Sequence, residues 1–163
     1  MANRQFITFY LGEDLFGLDI LLVREINRNM DITKVDRAPG YVRGLMNLRG
    51  QIVTVLDLGV RLDIGARTIG HESSCIVLKT RAELERHNDA AEPDEGATTD
   101  LVGLLVDRIG DVVAVDSGDI DPPPAHAGGV KGKYLDGVVK LDERLLITLN
   151  THEVLSIREE INK

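Results

Sequence analysis

The stretch Leu45-Met46-Asn47-Leu48-Arg49-Gly50-Gln51-Ile52-Val53-Thr54-Val55-Leu56 decides the fold class. Two apolar runs, residues 45–48 and 51–56, flank the dipeptide Arg49-Gly50. That pattern predicts two strands around a tight turn, with Gly50 supplying the positive φ such a turn often needs. The second run is nearly all apolar and rich in β-branched residues, as expected of a strand covered on both faces. Asp57 follows as the candidate cap of a short helix through Leu62.

Upstream, Pro39-Gly40-Tyr41-Val42-Arg43-Gly44 suggests at most one helical turn, stopped by Gly44. Residues 27–38 are polar and irregular. Leu22 to Ile26 is a further extended piece. Residues 5–11 alternate, with Ile7, Phe9 and Leu11 on one side. Gly12-Glu13-Asp14 marks a turn, and Phe16, Leu18 and Ile20 alternate again, so a hairpin opens the chain.

Downstream, Cys75 to Leu78 and Leu101 to Val106 are buried strands. Between them residues 81–100 are rich in Asp and Glu with Ala, Thr, Gly and Pro93, the composition of a flexible acidic loop. Val112 to Val115 is a short strand, and Asp107 and Asp111 read as turn residues at strand ends. Pro122-Pro123-Pro124 forces an extended connector, followed by flexible Gly128-Gly129. Tyr134 to Leu141 and Leu145 to Leu149 form a last hairpin. Asn150 with Glu153 makes a capping box, and Val154, Ile157 and Ile161 recur at helical spacing on a helix lying on the barrel surface. Roughly ten short strands with little helix define an all-β fold of closed barrels or sandwiches. The two halves of the chain share one rough plan, consistent with two small barrels.

Composition narrows the function. The 163 residues, 43% hydrophobic, suit one domain or two small subdomains sharing a core. The formal net charge of −8 argues against nucleic acid and against an anionic membrane surface. The single cysteine, Cys75, sits in an apolar run as a buried thiol rather than a nucleophile. The N-terminal residues lack the sustained apolar stretch of a secretion signal, and no apolar run approaches the ~20 residues of a membrane span. A cytoplasmic protein without direct membrane insertion is expected.

Catalytic patterns fail on spacing. His71, His87, His126 and His152 lie at no metal-ligand spacing from one another or from Cys75. Asp116, Asp119 and Asp121 lack the closing glutamate of a calcium loop, where Ala127 stands. There is no nucleophile elbow, phosphate-binding loop or dinucleotide fingerprint. The exception to this blandness is Arg49, a cation at the tip of a strongly apolar segment, for which Glu25 is the obvious anionic partner. Their pair either fixes a corner or shapes a partner-binding surface, and the sequence leaves both readings open.

Several motifs, in order, resemble the CheW family of chemotaxis coupling proteins. Gly44 to Leu58 is similar to the family's signature stretch. Phe16-Gly17-Leu18-Asp19-Ile20 and Val23-Arg24-Glu25-Ile26 resemble its first subdomain, and Leu101 to Asp107 resembles a strand of the second. Leu145 to Asn150 resembles the closing strand before a terminal helix. The resemblance implies a single CheW-like domain over residues 1–163, built as two interleaved five-stranded SH3-like β-barrels with a C-terminal helix, and neither catalysis nor cofactor. It implies two partners, the regulatory domain of the histidine kinase CheA and the cytoplasmic tip of chemoreceptors in a groove between the barrels. Glu25, Gly44, Asn47, Leu48 and Arg49 would belong to or shape the binding surface. Val23 and Val106 would be apolar contacts. The kinase-facing surface would include the turn from Leu11 to Phe16 and the strand near Asp57. Residues 81–100 exceed the family's usual turn. A non-flagellar chemosensory array is an alternative setting, and a small-molecule-binding barrel is the rival class, distinguished by an enclosed polar pocket.

Overall fold

A computed structural model describes residues 3–80 and 101–156. The acidic loop expected at 81–100 and the helical positions Ile157 and Ile161 lie outside the described residues. In chain order the strands are β1 (Asn3–Leu11), β2 (Asp14–Asp19), β3 (Val23–Asn27), β4 (Val42–Leu48), β5 (Gln51–Asp57), β6 (Ser74–Leu78), β7 (Leu101–Val106), β8 (Arg108–Asp116), β9 (His126–Ala127), β10 (Val130–Lys131), β11 (Leu135–Lys140) and β12 (Leu145–Leu149). Two short helices follow strands, α1 (Leu58–Arg61) after β5 and α2 (Thr151–Val154) after β12.

These strands form two five-stranded sheets and one small hairpin. The first sheet has the order β11-β12-β2-β1-β8 and the second the order β3-β6-β7-β5-β4. Each contains one parallel pair, β12 with β2 and β5 with β7, and the rest of the ladder is antiparallel. The first sheet therefore takes strands from both ends of the chain, whereas the second comes wholly from its middle. A single 3₁₀ turn, Ile20–Leu22, carries the chain from one to the other. The Asp19 carboxylate opens it by accepting from Leu21 N.

Phe16–Ile20 and Val23–Ile26, grouped together by the resemblance, lie in different sheets. The former lies largely in β2 of the first sheet. The latter is β3 of the second, together with β7. The turn expected at Pro39–Gly44 is not helical, because β4 already begins at Val42. The strand expected at Val112–Val115 runs from Arg108 to Asp116, with Asp111 inside it. Thr8 Oγ1 donates to the Asp111 carbonyl there, where the β1–β8 register shifts. Gly128-Gly129 is the turn of the β9–β10 hairpin, and both glycines have positive φ.

Three apolar clusters explain why so many strands lack alternation. Ile7, Phe9 and Phe16 of the first sheet meet Leu56, Ile76, Leu104 and Val106 of the second in one shared core. Phe6, Leu15, Val115 and Leu146 cluster separately, and so do Met46, Val53, Cys75 and Leu105 of the second sheet. All five residues of β6 are buried. Strands covered on both faces read as continuous apolar runs.

Candidate functional site

The β4–β5 turn is the two-residue connection read from the sequence, and both of its residues have positive φ, 51° at Arg49 and 86° at Gly50. Such turns match the right-handed twist of the flanking strands. Gly50 adopts this conformation without cost. Arg49 does not, and its neighbour supports the turn: Asn47 Oδ1 accepts from Gly50 N at 2.9 Å.

The Arg49 guanidinium donates to Glu25 Oε1. Glu25 lies on β3 and Arg49 follows β4, and these strands are the two opposite edges of the second sheet. The ion pair thus ties one edge to the other across the curled sheet. A second tie lies nearby, where Thr33 and Leu45 exchange backbone hydrogen bonds of 2.8 Å each. Gly44 makes that approach possible. Its φ is 153°, and a Cβ there would stand 2.3 Å from the Thr33 carbonyl oxygen.

Exposure divides the expected site residues. The Arg49 side chain is 68% exposed and that of Glu25 24%. Asn47 is exposed and pairs across the hairpin with Ile52, itself 54% exposed. Arg49, Asn47 and Ile52 therefore present donors, an amide and apolar area together on one hairpin. Val23, Leu48, Asp57 and Val106 are buried. Val23 and Val106, expected as apolar contacts, both pack in the core shared by the sheets, so at these positions the interval between sheets is filled. Leu48 packs within the second sheet. Asp57 also lacks an open face and works inward. It accepts from Val60 N at 3.2 Å, Arg67 N at 2.9 Å and Arg43 at 3.4 Å, capping α1 and pinning the following loop.

One organising residue escaped the sequence reading. Arg61 on α1 is buried, donating from Nε to the Val154 carbonyl at 2.7 Å and from a terminal nitrogen to the Glu153 carbonyl at 3.1 Å. Its guanidinium carbon lies 5.6 Å and 5.3 Å from the ring centroids of Tyr41 and Tyr134. The signal was a lone cation inside Leu58-Gly59-Val60-Arg61-Leu62. Burial pushes the Cys75 thiol up to about 12, with the Glu25 carboxylate adding to the effect.

Among the described residues no three His, Cys, Asp or Glu side chains are grouped to hold a metal ion, and no helix is long and apolar enough to cross a membrane. Two packed sheets with an exposed, charge-pinned hairpin offer a surface that a protein-binding scaffold could use.

The CheW-like domain model matches residues 5–159. The chain is 33% identical over 155 residues to the chemotaxis protein CheW of Treponema pallidum, covering 95% of this chain and 84% of that one. It is 29% identical to the chemotaxis protein CheW of Klebsiella aerogenes, covering 97% of this chain and 85% of that one. The crystal structure of the scaffolding protein TtCheW from Thermoanaerobacter tengcongensis superposes with a TM-score of 0.76 at 28% identity, over 94% of this chain and 88% of that one. The chain belongs to the CheW-like domain family, adaptors that work between chemoreceptors and the kinase CheA, and it has that family's two-subdomain SH3-like fold.

Proposed function

We propose that this chain is a non-catalytic cytoplasmic adaptor that couples chemoreceptors to CheA by gripping the receptor's cytoplasmic tip and the kinase's regulatory domain at once. Two modest interfaces repeated in an array give avidity beyond either alone. The observation that carries this reading is the Arg49–Glu25 pair, which fixes the hairpin while leaving most of the Arg49 side chain open to a partner. With Asn47 and Ile52 beside it, Arg49 is assigned to the contact surface. Gly44 and Glu25 shape that surface. Val23, Leu48, Asp57 and Val106 act through the framework they hold.

The test is assembly of the purified chain with a receptor-tip fragment and a CheA regulatory domain. Arg49→Glu places two carboxylates together and should weaken at least one of the two interfaces by about tenfold or more. Unchanged ternary assembly with a folded Arg49→Glu variant would sink the assignment. The ligand-barrel reading has less support. One surface concavity of about 390 Å³ is walled by Asp116, Asp119 and Asp121, carboxylates open to water rather than polar groups converging in an apolar enclosure.

A further inference from the structure

Asp107 alone separates β7 from β8, so it stands where the chain passes from the second sheet back to the first. Its backbone N donates to the Tyr10 carbonyl at 3.1 Å, near the end of β1. Its two carboxylate oxygens have different tasks. Oδ2 accepts from Gly12 N at 2.6 Å, inside the β1–β2 turn. Oδ1 lies 3.3 Å from Arg67 Nε. That contact is a pairing of charges without the alignment of a hydrogen bond, since the buried Nε makes none among the described residues. The two side chains are 19% and 27% exposed, so both partners are shielded, unlike Arg49.

Arg67 is itself held from the second sheet. Its N donates to Asp57 Oδ2, and its carbonyl accepts from the Arg43 guanidinium at 3.0 Å. Gly59 of α1 leaves room for the side chain to cross, because a Cβ there would stand 2.7 Å from Arg67 Cδ. Charges of opposite sign thus alternate from Arg43 on β4 through Asp57 and Arg67 to Asp107, and the last of them holds Gly12. Gly12, Glu13 and Asp14 are exposed, and Gly12 has a φ of 64°. A carboxylate held at one oxygen can still swing, and a cation at the other oxygen stops it. The β1–β2 turn of the first sheet is therefore set in place by a charge that the second sheet positions.

We propose that Arg67 and Asp107 are positioning residues for the kinase contact: Arg67 orients the Asp107 carboxylate, and Asp107 sets the β1–β2 turn as the CheA regulatory domain meets it. This rests on the reading that the turn from Leu11 to Phe16 faces the kinase. The Arg49 hairpin stands apart from the network, because Arg43 lies at the start of β4 and Arg49 just past its end, about 20 Å along the strand.

Titration calorimetry of the folded chain against a CheA regulatory domain and, separately, a receptor-tip fragment tests this. Asp107→Asn keeps an oxygen for Gly12 N but turns an amide donor toward Arg67. Arg67→Met removes the charge and keeps an unbranched side chain. Each should weaken kinase-domain binding about fivefold, and the double variant should bind no worse than either single one, because both changes remove the same contact. Arg67→Lys should bind as the wild type does, since a charge contact without an aligned fork is one that an ammonium can make. Receptor-tip binding should be unchanged in all of these variants. Glu13→Arg, at an exposed position of the turn, shows whether the turn faces the kinase and should weaken kinase-domain binding alone. If Glu13→Arg binds the kinase domain normally, that reading fails and the proposal falls with it. If Glu13→Arg binds weakly while folded Arg67→Met and Asp107→Asn bind normally and only melt earlier, the pair is a brace and the proposal alone is overturned. Losses that add in the double variant overturn it too.

Discussion

Arg61 Nε donates to the carbonyl of Val154 at 2.7 Å, joining the helix that ends the second sheet's β5 to the helix that ends the first sheet's β12. The last carbonyls of a helix lack partners within it, and a buried helix end needs an outside donor. Arg61 supplies two bonds at once, with its guanidinium over the rings of Tyr41 and Tyr134. Arg61→Leu should therefore lower unfolding free energy by about 2–4 kcal/mol in urea titrations. Arg61→Lys should recover less than half of that, because an ammonium cannot reproduce the planar fork. Equal stability of the Leu variant and the wild type would show the contact to be idle.

Gly44→Ala should cost about 2 kcal/mol or more, since the added carbon would meet the Thr33 carbonyl in a backbone conformation that side chains resist. The alternative to that cost is displacement of residues 30–33 from β4. Hydrogen exchange at Thr33 N and Leu45 N would detect it, because both lose protection when that bridge opens. Wild-type stability together with unchanged exchange would refute the account.

Cys75 makes a pH prediction. Below its ordinary value of 9.0 the thiol keeps its proton in both the folded and unfolded chain and does not affect stability. Between 9.0 and about 12 only the unfolded chain releases the proton, so the unfolded state gains. Stability should fall by about 1.4 kcal/mol per pH unit across that window. Cys75→Ala should flatten this alkaline slope by the same amount, at the cost of a smaller core side chain. At pH 9 iodoacetamide should label the native protein only as fast as it opens, since the thiol is buried among apolar neighbours. Rapid labelling would disprove the burial.

Arg49→Ala should separate stability from binding. An ion pair with one partner this exposed contributes about 1 kcal/mol or less. Thermal melting should therefore change little while partner binding drops. A large stability loss with binding intact would make Arg49 a brace rather than a contact.

The features legible in the sequence were local. The β4–β5 turn, the Asp57 cap and the Asn150 cap each depend on residues within a few positions, and each appears where the residues predicted it. What escaped was set by distant neighbours. Gly44 resembled a helix stop because its reason, the approach of Thr33, is invisible in the hexapeptide around it. The extent of β8 was hidden by Gly110 and Asp111, which look like a turn but sit where the strand shifts register against β1. The two sheets could not be assigned by halves, because β2 finds β12 from the far end of the chain. Among the site residues, the Arg49–Glu25 pair was readable from an odd charge in an apolar setting. The burial of Asp57 was not, since a strand end can face either core or water.

The nested arrangement of the sheets has a consequence during synthesis. Every strand of the second sheet has left the ribosome once Val106 emerges, so that sheet can close while translation continues. The first sheet cannot, because β2 waits for β12, and Leu15 meets Leu146 only once β12 has been made. Pairing across so long an interval is slow to form. The growing protein therefore carries a finished second sheet and an open β2 edge until β12 is made. A chaperone or a neighbouring nascent chain would find β2 there, while the β4–β5 hairpin is already in place.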